Sequence, residues 1–197
     1  MTLARVRADF LSYFLSSYFS DSLFTCLSCL SGPCIDGKMV ALREGEIFTV
    51  GYDDAFTFEP NYKNVIIKTS DCDDRITIAK TYPDASSLKV FGYGGNDRVI
   101  VGDGSHPLDT LIFANVTFDG GLGTDILKIH DEGSLVNKSV TMNYPTVTGV
   151  IGNGTIFSYH DFEDVRLLLG NANMDVDVVS VGQDASLTLS TQGKPRL

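Results

Sequence analysis

Three aspartates sit at matching places in a recurring phrase, an acid followed by apolar residues at every second position. The phrase reads Asp74-Arg-Ile76-Thr-Ile78, Asp97-Arg-Val99-Ile-Val101 and Asp125-Ile-Leu127-Lys-Ile129. Further copies start at Glu46 and Asp177, and a sixth at Thr155, where a hydroxyl replaces the acid; Glu46 and Thr155 mark where a column of acids would fail. The six starts are 28, 23, 28, 30 and 22 residues apart. Carboxylates repeated in this way supply hard, charged oxygens. If successive copies stack, the acids form a column at about the 4.8 Å spacing of neighbouring strands. Like charges at that distance repel by roughly 3 kcal/mol at an effective dielectric near 20. Such a column must splay into water, take up protons or bind a cation. A second reading is that each Asp caps a glycine turn by accepting backbone amides. Both remain open at this point.

The elements that must position these acids are short strands. In each phrase the apolar pair occupies one face of a period-2 segment. A second apolar pair lies nine residues before each of three acids, at Val65/Ile67, Leu88/Val90 and Val116/Phe118. This offset implies strand, tight turn, strand at one corner of a repeat. A third strand fits at Phe56/Phe58, Leu111/Phe113 and Val140/Met142. The stretch Asn64-Val-Ile-Ile-Lys-Thr also resembles Asp164-Val-Arg-Leu-Leu-Leu, 100 residues on. No comparable helical period appears after residue 36. A mean step of about 26 residues is the signature of a chain that winds repeat upon repeat. The expected fold class is all-β, a right-handed parallel β-helix (solenoid) of five or six turns over residues 37–197, with a short N-terminal segment at 1–36. An antiparallel sandwich also gives short strands but requires no fixed offset.

The turns before two of the acids are glycine-rich. Gly120-Gly-Leu-Gly-Thr-Asp-Ile-Leu-Lys128 fits the nonapeptide G-G-x-G-x-D-x-U-x in full. Gly92-Tyr-Gly-Gly-Asn-Asp-Arg-Val-Ile100 departs from it only at Tyr93. The two segments resemble the RTX-type calcium-binding repeats of secreted bacterial proteins. The resemblance implies Ca2+ held by Asp97 and Asp125. The turns would contribute through Gly92, Gly94, Asn96, Gly120, Leu122 and Thr124, and Asp74 would lie on the same column. Asp71, Asp73 and Asp103 would add oxygens nearby. Calcium takes about six to eight oxygens, and glycine lets backbone carbonyls turn toward an ion. The family's repeats are 18 residues long, so ligands here would come from longer ones.

Composition narrows the partners. The 197 residues suit one domain, and a formal net charge of -10 argues against nucleic acid and anionic lipid. It favours cations or simple solubility; the resemblance implies calcium ions as the partner, with a cell-surface or matrix polysaccharide or protein as a further expected one. Cys26, Cys29, Cys34 and Cys72 lack a second metal-binding half and a nearby His, so incidental cysteines, or a disulfide if the chain is exported, are better readings than zinc. Asn115-Val-Thr117, Asn137-Lys-Ser139 and Asn153-Gly-Thr155 are glycosylation sequons that count only in a eukaryotic secretory path. Residues 1–36 place Arg5 and Arg7 before an apolar, serine-diluted run. They read as an export signal or as a cap over the first repeat, too polar for a membrane span. The segment Gly193-Lys-Pro-Arg-Leu197 carries no cap signal, as expected of a piece of a longer protein.

Catalysis has little support in the sequence. His106, His130 and His160 are scattered, and no HExxH, GxSxG or P-loop pattern occurs. Asp161, Glu163 and Asp164 would serve a carbohydrate-active parallel β-helix enzyme, a lyase or hydrolase, but read better as a solvated turn. Tyr52, Tyr62, Tyr93 and Tyr159 either stack on sugars or pack along the repeats. The functional expectation is an extracellular calcium-binding module with a structural or adhesive role.

Overall fold

The computed structural model describes residues 64–192 apart from 70, 82, 84 and 153, together with the backbone of five further short strands. The described residues are all-β, with a single three-residue 3-10 turn at Leu108–Thr110 and no α-helix. The strands with backbone alone are β1 (Ser22–Cys26), β2 (Gly37–Ala41), β3 (Ile47–Val50), β4 (Asp54–Thr57) and β17 (Pro195–Arg196). The rest are β5 (Asn64–Lys68), β6 (Asp74–Ile78), β7 (Ser87–Phe91), β8 (Arg98–Val101), β9 (Asn115–Asp119), β10 (Ile126–Asp131), β11 (Lys138–Asn143), β12 (Thr146–Thr148), β13 (Phe157–His160), β14 (Asp164–Leu169), β15 (Met174–Ser180) and β16 (Ser186–Thr191).

Two parallel-rich sheets account for most of them. The nine-stranded sheet has the order β1-β5-β7-β9-β13-β12-β11-β15-β17, and the six-stranded sheet β16-β14-β10-β8-β6-β2. From β5 to β10 the chain alternates between the two. Register follows the apolar pattern. Val65, Leu88, Val116 and Phe157 are partners across the larger sheet, and Ile67, Val90, Phe118 and Tyr159 form the next column. In the smaller sheet Ile76, Val99, Leu127, Val165 and Leu187 align. Both sets turn inward and join one buried cluster. A one-residue slip would move a whole column to solvent, so burial fixes the register.

Some expected strands fall elsewhere. Leu111 and Phe113 follow the 3-10 turn rather than lying in a strand. The four residues after Glu46 form β3, which pairs antiparallel with β4 in a separate two-stranded sheet. The Thr155 phrase becomes β13, in the larger sheet, and Asp177 lies in β15 of that same sheet. Strands β5 and β14, alike in sequence, belong to different sheets. Strand β12 runs antiparallel to both β11 and β13 between β9 and β15, and these strands lengthen the path from β10 to β14. The expectations for residues 1–21 and 27–36, with Cys29 and Cys34, and for Glu46, Tyr52, Tyr62, Asn153, 193–194 and 197 lie outside the described residues, and of Cys26, Pro195 and Arg196 only the backbone is described.

Candidate functional site

The turns leading into β6, β8, β10 and β14 stack on one another at one corner. Backbone bonds tie them: Thr69 N donates to Phe91 O at 3.0 Å, Gly92 N to Asp119 O at 2.7 Å and Gly120 N to His160 O at 3.0 Å. The two glycines that open the motif turns are required by this closeness. A Cβ on Gly92 would lie 2.2 Å from Gly120 O, and one on Gly120 would lie 2.1 Å from Asp161 O. No side chain fits there.

The acids do form a column, and each reaches one level along it. Asp97 Oδ1 accepts the Asp74 amide at 2.7 Å, Asp125 Oδ1 accepts the Asp97 amide at 2.7 Å, and Glu163 Oε2 accepts the Asp125 amide at 2.6 Å. A second, exposed ladder runs beside it. Asp73 Oδ1 accepts the Asn96 amide at 2.6 Å, and Asn96 Oδ1 accepts the Thr124 amide at 3.0 Å. Asp74, Asn96, Asp97, Thr124 and Asp125 are therefore brought together as the sequence implied. Gly94 and Leu122 form a bridge between adjacent turns, with the Leu122 side chain in solvent.

Three placements differ from expectation. Asp103 lies at another corner, where it accepts the Ser105 and His106 amides and pairs with His106 Nδ1 at 2.7 Å. Burial pushes its pKa up, but these donors more than offset that and hold it below the usual value. The Gly92 carbonyl already accepts Thr69 Oγ1 at 2.8 Å and the Gly94 amide at 3.1 Å, which leaves it poorly placed to serve an ion. Glu163, read as part of a solvated turn, ends the buried ladder. Its signal was present: Glu163-Asp-Val165-Arg-Leu167 is another acid-x-apolar-x-apolar phrase. Asp164 is paired with Arg166.

Burial makes the column electrostatically unusual. Asp97 is 1% exposed and Asp125 0%. Desolvation raises the Asp97 pKa from 3.8 to about 7, with Asp74, Asp125 and Asp73 adding repulsion and the bond from the Asp74 amide opposing it. Burial likewise raises Asp125, with Glu163, Asp161 and Asp119 adding to the effect. Asp119 is raised by burial and then by Asp161. In each of Asp97 and Asp125 the second oxygen, Oδ2, is buried with no hydrogen-bond partner. An ionised carboxylate in that position is costly unless a proton or a cation joins it. Among the described residues no group of three His, Cys, Asp or Glu side chains converges as a metal cage. A cation here would therefore draw the rest of its shell from backbone carbonyls and water.

Tyr159, a candidate for sugar stacking, is buried, donates to Val181 O at 2.9 Å and has its pKa pushed up to about 12 by burial. Tyr93 is partly exposed beside Phe91 and Lys68. Cys72 is disulfide-bonded. No helix among the described residues is long and apolar enough to cross a membrane. Comparison with protein-family models, curated proteins and solved structures returns no match.

Proposed function

We propose that this chain is a β-solenoid module, structural or adhesive, that binds calcium at its glycine–aspartate corner outside the cell. The carrying observation is the pair of buried, unpartnered oxygens, Asp97 Oδ2 and Asp125 Oδ2. They are hard donors of the type calcium takes, on a column whose charges repel. The alternation of β5 to β10 between two parallel sheets supports the solenoid reading. Parallel crossovers of this kind are right-handed in nearly all known cases. The disulfide at Cys72 suits an oxidising compartment, where calcium is also abundant.

Asp97 and Asp125 would hold the ion, and the stacked turns would orient them by accepting amides through their other oxygen. Calcium would supply the positive charge that offsets their mutual repulsion, so binding would add to folding stability. The test is a calcium titration followed by circular dichroism and melting temperature, in the natural chain and in Asp97→Asn with Asp125→Asn. The expected result is a rise in melting temperature over roughly 0.1–1 mM calcium, the range of extracellular modules, absent in the double variant. No change in the natural chain at that concentration overturns the reading.

A further inference from the structure

The net charge of -10 conceals one face of the opposite sign. In the smaller sheet Ile76, Val99, Leu127 and Val165 turn inward. Arg75, Arg98, Lys128 and Arg166 occupy alternate positions and so lie on the outer face of β6, β8, β10 and β14. Arg75 and Arg98 are register partners, as are Lys128 and Arg166. Between Arg98 and Lys128 the row moves one strand across and two residues along. The result is an oblique row with one cation on each of four neighbouring strands. The acids Asp97 and Asp125 share the inward parity, so they lie away from it. Asp164 is the only acid at an outward position of these strands, and it is bound by Arg166 Nε at 2.9 Å. Among the described residues Arg75, Arg98 and Lys128 have no ion-pair partner, and Arg98 Nε is buried with no acceptor.

We infer that this row binds a linear anionic polysaccharide, with carboxylate or sulfate groups lying over successive strands. The steps from Arg75 to Arg98 and from Lys128 to Arg166 are about 4.8 Å, and the middle step, which also moves two residues along, is about 8 Å, lengths that an extended chain of charged sugars can span. The narrowness of the row selects against a membrane, because a broad anionic surface would also meet the acidic turns beside it. The row carries no aromatic platform for bases, which single-stranded nucleic acid uses. The row borders the glycine–aspartate corner, since Arg75 and Arg98 directly follow Asp74 and Asp97, but it faces outward and its inference does not require calcium there.

The experiment measures binding of the full chain to heparin and to polygalacturonate, with dextran as the neutral control, in chelator and at low salt. Binding to the anionic polymers that weakens as salt rises is expected. Arg75→Glu with Lys128→Glu should weaken it by about tenfold or more. Lys68→Glu with Lys89→Glu makes the same charge change on the other sheet and should weaken it far less. If the first pair fails to fold by circular dichroism, Arg75→Gln with Lys128→Gln replaces it, with a smaller loss in the same direction. Equal losses in the two pairs, no binding at low salt, or a preference for phosphatidylserine vesicles overturns the inference. Because chelator is present throughout, failure of the calcium reading leaves this result unaffected.

Discussion

Asp97 is the residue on which most of the chemistry turns. Its carboxyl is buried, one oxygen holds the Asp74 amide, and the other faces no donor. Its folded pKa, about 7, lies above the ordinary value of 3.8, so the fold favours the protonated form. The stability this contributes is complete below about pH 4 and is lost as pH rises through about 7. In chelator, denaturant unfolding at pH 5 should therefore give a higher stability than at pH 8, and Asp97→Asn should flatten the difference. A pH profile equal to that of the variant would count against the buried ionisable column. Asp131 poses the same problem and meets it differently. It is also buried and raised by burial, but Lys138 Nζ donates to it at 2.8 Å, and to Val150 O at 2.8 Å. Lys138→Met would strand a buried acid and should lower stability by about 3 kcal/mol, read by urea unfolding at neutral pH.

At the scale of the turn and strand, close stacking decides which substitutions are tolerated. Gly120→Ala would drive a methyl against Asp161 O and should cost about 1–3 kcal/mol. Gly94→Ala meets nothing nearer than Asp71 Oδ1 at 3.5 Å and should be far milder, although both positions belong to the same motif. Similar losses in thermal melts of the two variants would contradict the stacking described for this corner. These strands were legible in the sequence where repeats follow one another directly. The nine-residue offset placed β5 to β10 correctly, and with them the register of Asp74, Asp97 and Asp125. Legibility failed after Asp125. Apolar alternation looks the same in strands of either sheet, so the Thr155 phrase counted as a further repeat, although its hydroxyl marked a break in the acid column. The true successor, Glu163, lies 38 residues on because β11 and β12 intervene. Glu163 obeys the acid phrase and Thr155 does not, so phrase identity outweighed regular spacing. The hydrogen bonds of the column were less accessible. Which oxygen accepts which amide depends on turn geometry that residue types do not encode by themselves.

Across the whole molecule, charge is sorted by position. Carboxylates collect at turns, on inward edges and on the exposed face of β15, at Asp175 and Asp177, while four cations line the outside of the smaller sheet. Net charge therefore described the protein poorly as a binding surface: it argued against nucleic acid and anionic lipid as partners but did not locate the row of cations on the sheet. Sorting of this kind allows two ligands of opposite sign to act on separate surfaces, a cation locking stacked turns and a polyanion lying across strands. Calcium bound at the corner, as proposed, would make stability depend on the metal rather than on acidity alone. The most direct test is the melting temperature at pH 8 with increasing calcium, against magnesium at equal ionic strength. A calcium-specific, saturable rise that Asp97→Asn with Asp125→Asn abolishes is the predicted result; an unchanged melting temperature, or an equal response in the double variant, would contradict it.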